Sequence, residues 1–499
     1  MVEAVTVPER AAPPGDAPTP NHRLLDALLV GVTLASAVAF FFITSHGTWT
    51  PLYERPELDS RFFLAQAHAI LRGHLSVKPS QLPFECFVHN GKCYGYFGVT
   101  PSLLRIPFLP LLDSFKQSMT PLFISSALTL ATASILATLR HLLIRVDLGG
   151  ARIALVAIGA IGLGPASVLM LVARPAAYEE AIAWAVGFMC LAIYYFLRWW
   201  EEQRICRYLG ILVSLVLSAN ARPTAIAFAV IIGLGIAYRL GSNRGRDVAT
   251  IRKLVLLSGT VMALPLLTCV GVFLVKFGQP LPSFLLDEQV GGRFAAPWWI
   301  HIRKLDHNQL QSLRFVPTAL YAYFRPDTVV LDKAFPWVDF RFRTAFVGFQ
   351  YHPAPITYVA LTKGSLYVES VSSLTATMPL AFLGAVYSLG IAARSVVRGR
   401  QPVLLRIRSS VHSLSWHAIV IMAAGGSFFV TLTNSSISDR YLADAYPLMA
   451  LLAVSALAQS AERFLQMRVW TRALVGTLVV VGVSWQLLVN IGLEYRTWW

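Results

Sequence analysis

Charge is scarce in this chain. Only 14% of its 499 residues are Asp, Glu, Lys or Arg, and acids number 26, whereas a soluble domain carries roughly 25% charged residues. With 56% hydrophobic residues, that scarcity excludes a soluble globular protein and a charge-rich disordered chain. Five cysteines exclude a disulfide-dense scaffold, and there is neither a collagen repeat nor a sustained heptad. The formal charge of +16 would suggest nucleic acid in a soluble protein. A membrane chain uses Arg and Lys first to fix its orientation, so no nucleic-acid partner is expected.

Long apolar runs dominate instead. A run of about 20 residues crosses a hydrocarbon core roughly 30 Å thick. Hydropathy between charged residues predicts spans at 24–43, 121–139, 153–173, 179–197, 207–219, 223–238, 254–275, 373–393, 414–433, 441–460 and 472–490. The expected fold is therefore an all-α polytopic membrane protein with about 11 transmembrane helices. Ionisable residues are nearly absent from the span centres; Asp26, Glu179, Glu180, Arg222, Asp439, Arg440 and Asp444 fall near span ends. A midplane ion relay is not expected.

Arginines set the sidedness. The clusters around Arg140, Arg198, Arg239, Arg394 and Arg463, with Arg10 and Arg23, share one face in this topology. That face holds 21 basic and nine acidic residues, a charge of +12, against 21 basic and 17 acidic residues, +4, on the other. The positive-inside rule makes the first face cytoplasmic. The N-terminus is then cytoplasmic and the C-terminus extracytoplasmic in a multi-pass plasma-membrane protein. Residues 1–20, rich in Ala and Pro, read as a disordered cytoplasmic tail. Residues 21–275 form an N-terminal membrane module with a first exported loop at 44–120. Residues 276–372 form a second exported loop, and 373–499 a C-terminal membrane module.

Polar chemistry collects in the exported loops. In the first, Tyr53-Glu54-Arg55-Pro56-Glu57-Leu58-Asp59-Ser60-Arg61 leads into a helical stretch from Phe62 to Arg72, ended by Gly73. Asp59 has two readings: an N-cap for that helix, or a general base that accepts a proton from a hydroxyl nucleophile. Further on, Phe84 to Tyr94 alternates around Asn90-Gly91, a hairpin signature. Cys86 and Cys93 lie on its two arms, where an exported segment can close a disulfide; free thiols are the alternative, and a zinc site with His89 would lack a fourth ligand. The apolar stretch Tyr94-Gly95-Tyr96-Phe97-Gly98-Val99-Thr100-Pro101 and onward to Pro107 is too short to cross and is expected to lie along the interface.

These residues resemble the GT-C superfamily, the polytopic glycosyltransferases that draw on polyprenyl-phosphate sugars, in particular the protein mannosyltransferase and lipid A aminoarabinose transferase branch. The resemblance rests on an acid before a surface helix, with Asp59, Phe63, Ala67 and Leu71 at four-residue spacing, and on the Tyr94–Pro107 segment. It also rests on Arg174-Pro175 with Tyr178 and Glu179, on Ala221-Arg222-Pro223-Thr224, on Phe277-Gly278-Gln279-Pro280, and on Asp439-Arg440-Tyr441 before Tyr446-Pro447. It implies a GT-C-like fold, Asp59 as catalytic base and a polyprenyl-phosphate sugar donor. The acceptor is a glycan, lipid or protein.

A leaving polyprenyl phosphate calls for a cation at the membrane surface. Arg440 is the first choice, with Arg222 and Arg174 behind it; interfacial anchoring is the alternative for Arg440, and a structural role for the other two. Where related enzymes often carry adjacent acids, this chain has Asp59-Ser60, with Glu57 two residues upstream. No cofactor is assigned on that basis, and the use of a divalent metal stays open. Aromatics of the second loop, among them Trp298, Trp299, Tyr321, Tyr323, Trp337 and Tyr351, suit interfacial packing, or a lid stacking on sugar rings with His301, His307 or His352 near the phosphate. Rival functions are a lipid or glycan transporter, a polysaccharide ligase or polymerase, and a noncatalytic assembly protein.

Overall fold

The computed structural model describes residues 20–52, 60–82, 86–144, 149–171, 176–241, 248–280, 311–325, 328–335, 337–340, 373–397, 416–433 and 439–498. Asp59, Arg174, most of the tail and most of the second loop, including its three histidines, Trp298, Trp299 and Tyr351, lie outside the described residues.

The long helices are α1 (Pro20–Thr44), α5 (Thr120–Leu143), α6 (Gly150–Leu163), α8 (Ala177–Glu201), α9 (Ile205–Ala219), α10 (Ala225–Gly241) and α11 (Val248–Phe277). Between the first two lie short α2 (Phe62–Leu71), α3 (Thr100–Arg105) and α4 (Leu109–Phe115), and α7 (Pro165–Val168) follows α6. Then come α12 (Val316–Phe324), α13 (Leu374–Thr377), α14 (Pro379–Val397), α15 (Trp416–Leu432), α16 (Tyr446–Arg463) and α17 (Val469–Trp498). Prolines in the first turns of α3, α5 and α16 sit where a helix has no partner for their missing N–H. Each of the eleven apolar stretches read from the sequence contains a helix. Among the described residues, seven helices are long and apolar enough to cross a membrane. The helices at 205–219, 225–241, 379–388 and 418–432 are shorter.

Helices α5, α8 and α16 form the centre of the bundle, with 67%, 83% and 94% of their most apolar windows covered by protein; α1, α11 and α17 are covered over only 22%. Many apolar side chains on those outer helices, among them Leu34, Val38, Leu267, Leu474 and Val481, are exposed, which is the pattern of a surface facing hydrocarbon. Helix α5 packs against α1 and α8, α8 against α9, α10 against α11 and α15, and α14 against α16. Small residues permit close approach: a Cβ on Gly384 of α14 would sit 2.7 Å from the Ala453 Cα of α16.

Two short antiparallel hairpins lie outside the bundle. In the first, β1 (Phe87–His89) pairs with β2 (Lys92–Tyr94), Phe87 opposite Tyr94. Both turn residues, Asn90 (φ 50°) and Gly91 (φ 70°), are left-handed, as a tight two-residue turn requires. Cys86 and Cys93 are joined by a disulfide with their Cα atoms 5.4 Å apart, so these sulfurs are not disposed to hold zinc. The second pairs β3 (Val329–Leu331) with β4 (Val338–Phe340).

Candidate functional site

The 94–108 segment is the hub. One face of it is buried: Thr100, Pro101, Ser102 and Arg105 of α3 are all covered, because polar groups at these positions find partners inside. Its other face, with Leu103, Phe108, Leu111 and Phe115 exposed, continues into α4 and has the apolar character of an interfacial helix.

One anchor is ionic. Arg105 and Glu180 of α8 form a fully buried pair, with Arg105 Nη2 donating to Glu180 Oε2 at 2.8 Å and to Thr120 Oγ1 at 3.2 Å. The guanidinium also sits 4.0 Å from the Phe123 ring centroid. Thr120 in turn donates to the Ser60 carbonyl at 2.8 Å, so the residue following Asp59 is fixed to the same cluster. Ser102 donates to Gln66 Oε1 of α2 at 2.6 Å.

A second anchor is a backbone approach. The Thr100 amide donates to the Asn220 carbonyl at 3.0 Å, and Thr100 Oγ1 donates to the Leu217 carbonyl at 2.7 Å. A Cβ on Gly98 would fall 1.7 Å from the Asn220 carbonyl oxygen, so only glycine permits this contact. Asn220 itself donates to Thr268 of α11 at 2.7 Å. Two residues on, Arg222 Nη2 lies 2.9 Å from Asp444 Oδ2, and its guanidinium rests 4.9 Å from the Tyr441 ring centroid. Asp444 is fully buried and also accepts from Thr431 of α15 at 2.6 Å.

The third anchor comes from α11. Lys276 is fully buried, and its Nζ donates to the carbonyls of Gly95 (3.0 Å) and Phe97 (2.5 Å). The next residue, Phe277, meets Tyr94 edge-on at 5.6 Å. Phe97 stacks on Tyr96 at 4.5 Å and takes the Tyr178 ring edge-on at 4.9 Å, while Phe62 and Phe63 pack behind it. Burial holds the Tyr94 phenol above its ordinary pKa range, so its hydroxyl keeps its proton at neutral pH.

The N-cap position of helix α2 is held by Arg61, whose side chain makes no capping bond; Asp59 itself lies outside the described residues. Of the four-residue stripe, Phe63 and Ala67 are buried but Leu71 is 62% exposed, because the helix has reached its end. Arg222, one of the residues named for the phosphate, is paired with Asp444. Arg440 belongs to the 3₁₀ turn Asp439–Ala445, directly before Tyr441; its side chain lies outside the description, as does all of Arg174.

No described protein family matches this sequence, and no curated protein does. Among solved structures the chain is similar to the Archaeoglobus fulgidus oligosaccharyltransferase in its apo form, at 13% identity and a TM-score of 0.44, covering 93% of this chain and 56% of that one. The same measures are 13%, 0.43, 93% and 56% for the archaeal oligosaccharyltransferase AglB from Archaeoglobus fulgidus in complex with an inhibitory peptide and a dolichol-phosphate. They are 12%, 0.44, 93% and 55% for the Archaeoglobus fulgidus enzyme tethered to an acceptor peptide containing the NVT sequon. This chain thus spans little more than half the length of the structures it resembles.

The roles of Arg105 and Lys276, and the pairing of Arg222 with Asp444, escaped the reading of the sequence. A signal was present: Arg105 is a single charge within an apolar stretch, and Lys276 ends an apolar run. Ionisable residues in such places call for a named partner.

Proposed function

We propose that this protein is an integral membrane glycosyltransferase that moves a sugar from a polyprenyl-phosphate donor to an acceptor hydroxyl at the extracytoplasmic membrane face. In this reading eleven helices span the membrane, the arginine-rich face is cytoplasmic with the N-terminus, and the 94–108 segment faces outward. Asp59 acts as general base and takes the proton of the acceptor hydroxyl. The hydroxyl oxygen then attacks the anomeric carbon, the bond from that carbon to phosphate oxygen breaks, and polyprenyl phosphate departs with its negative charge.

One observation carries the reading. Sequence pieces scattered from Ser60 to Asp444 meet at one end of the bundle, around the 94–108 segment, and bring with them buried charge in a chain otherwise poor in it. The Arg222–Asp444 pair gives Arg222 a narrower task than expected: it holds the start of α16 and the turn that carries Arg440. Arg440 is then the cation that receives the leaving phosphate, with Arg174 in support.

Purified full-length protein assayed with a panel of polyprenyl-phosphate sugars tests the proposal. Asp59→Asn should lower transfer by about 10²–10⁴-fold, the usual contribution of a general base, while the protein still accumulates in the membrane. Transfer at the wild-type rate would remove Asp59 from the mechanism.

A further inference from the structure

Lysine is among the residues least often fully buried unless paired, because an ammonium taken from water without a counter-charge is costly. Lys276 is fully buried, and its hydrogen bonds go to two main-chain carbonyls, Gly95 and Phe97. Among the described residues it forms no ion pair. A methionine of similar length would fill the same space without the desolvation cost, so packing does not account for a lysine here.

What the ammonium supplies is direction. Its two acceptors are alternate residues of one short segment, drawn to one point at the end of α11. Directly beyond them, Gly98 touches the Asn220 carbonyl and Thr100 bonds to it. On the other side Lys276 is followed by Phe277, against Tyr94, and by Gly278 at a left-handed φ of 69°, where the chain leaves α11 for the second loop. The ammonium therefore stands at the junction of the two long loops.

Resting on the glycosyltransferase reading, we propose that Lys276 is a positioning residue: its ammonium latches the Gly95–Phe97 backbone to the root of the second loop, and so sets the 94–108 segment in register with the Asn220–Arg222 turn. Lys276 does not touch substrate. A donor-bearing side chain is needed because two carbonyls must be held at once, a task no apolar side chain performs.

The test is Lys276→Met in the full-length protein in detergent micelles. Hydrogen–deuterium exchange of peptides covering 95–104, which include the Thr100 amide, should speed at least tenfold, while peptides from α5 and α8 stay protected and the thermal unfolding midpoint is unchanged or raised. With the sugar donor that the wild type uses, kcat should fall at least tenfold with little change in KM. Unchanged exchange at 95–104 would overturn the proposal. So would faster exchange throughout with a lowered midpoint, which marks a merely structural residue, and so would local loosening with a wild-type kcat. A wild-type protein inactive towards the whole panel would sink the glycosyltransferase reading instead, and the latch would then stand or fall on the exchange data.

Discussion

The two ends of the bundle differ in how deeply they bury charge, although the first also carries one exposed pair, His68 with Asp113. At the end bearing the 94–108 segment, Arg105 and Glu180 are both fully buried, and Asp444 is fully buried against an Arg222 that is 13% exposed. At the arginine-rich end, Arg140 meets Asp26 with both partly exposed, His141 meets Glu201, and Arg204 and Arg207 share Glu202 near solvent. Exposed pairs contribute roughly 0–1 kcal/mol and are replaceable. Buried pairs add little net stability over well-packed apolar side chains, but breaking one strands a charge. The first end is therefore built to allow one arrangement of its loops, and the second mainly to carry charge.

The sharpest way to break this contrast is Glu180→Ala, which leaves Arg105 buried without its partner and should lower stability by about 3–5 kcal/mol. Unfolding in detergent measures it; a cost under about 1 kcal/mol would place this pair with the exposed ones. Gly98→Ala should come next, at about 1–3 kcal/mol, since the new methyl meets a main-chain oxygen with no flexible end to move. Local loosening at 95–104 without global unfolding is the expected signature, and wild-type exchange there would show that the Asn220 contact gives way freely. The smallest effect belongs to the other end: Asp26→Asn should cost about 1 kcal/mol or less, and its effect should shrink as salt is raised. A larger loss would mean that the arginine-rich end is specified as tightly as its opposite.

Much of the fold was legible because hydrocarbon imposes a strict code on length and polarity. Helix positions followed from apolar runs, and the hairpin from Asn90-Gly91, whose left-handed turn few other residue pairs tolerate. The pairings were not legible. Arg105 finds Glu180 at 75 residues' separation and Lys276 finds Gly95 at 181, and no local periodicity encodes contacts of that range. The apolar composition of the 94–108 segment gave its exposed face, whereas its orientation is set by three inward polar side chains, Thr100, Ser102 and Arg105, and one glycine, Gly98. The site was readable as a set of pieces, but the way they fit depends on tertiary contacts.

The Arg222–Asp444 pair also bears on how the protein is made. The two partners are 222 residues apart in the sequence, so at roughly 5–20 residues per second the ribosome needs on the order of 10–45 seconds to deliver the acid after the base. Throughout that interval Arg222 lacks the partner it has in the folded protein. The Arg222–Asp444 pair therefore closes only after the α16 boundary has been made, later than the Arg105–Glu180 pair and the Thr100–Asn220 contact at the same end.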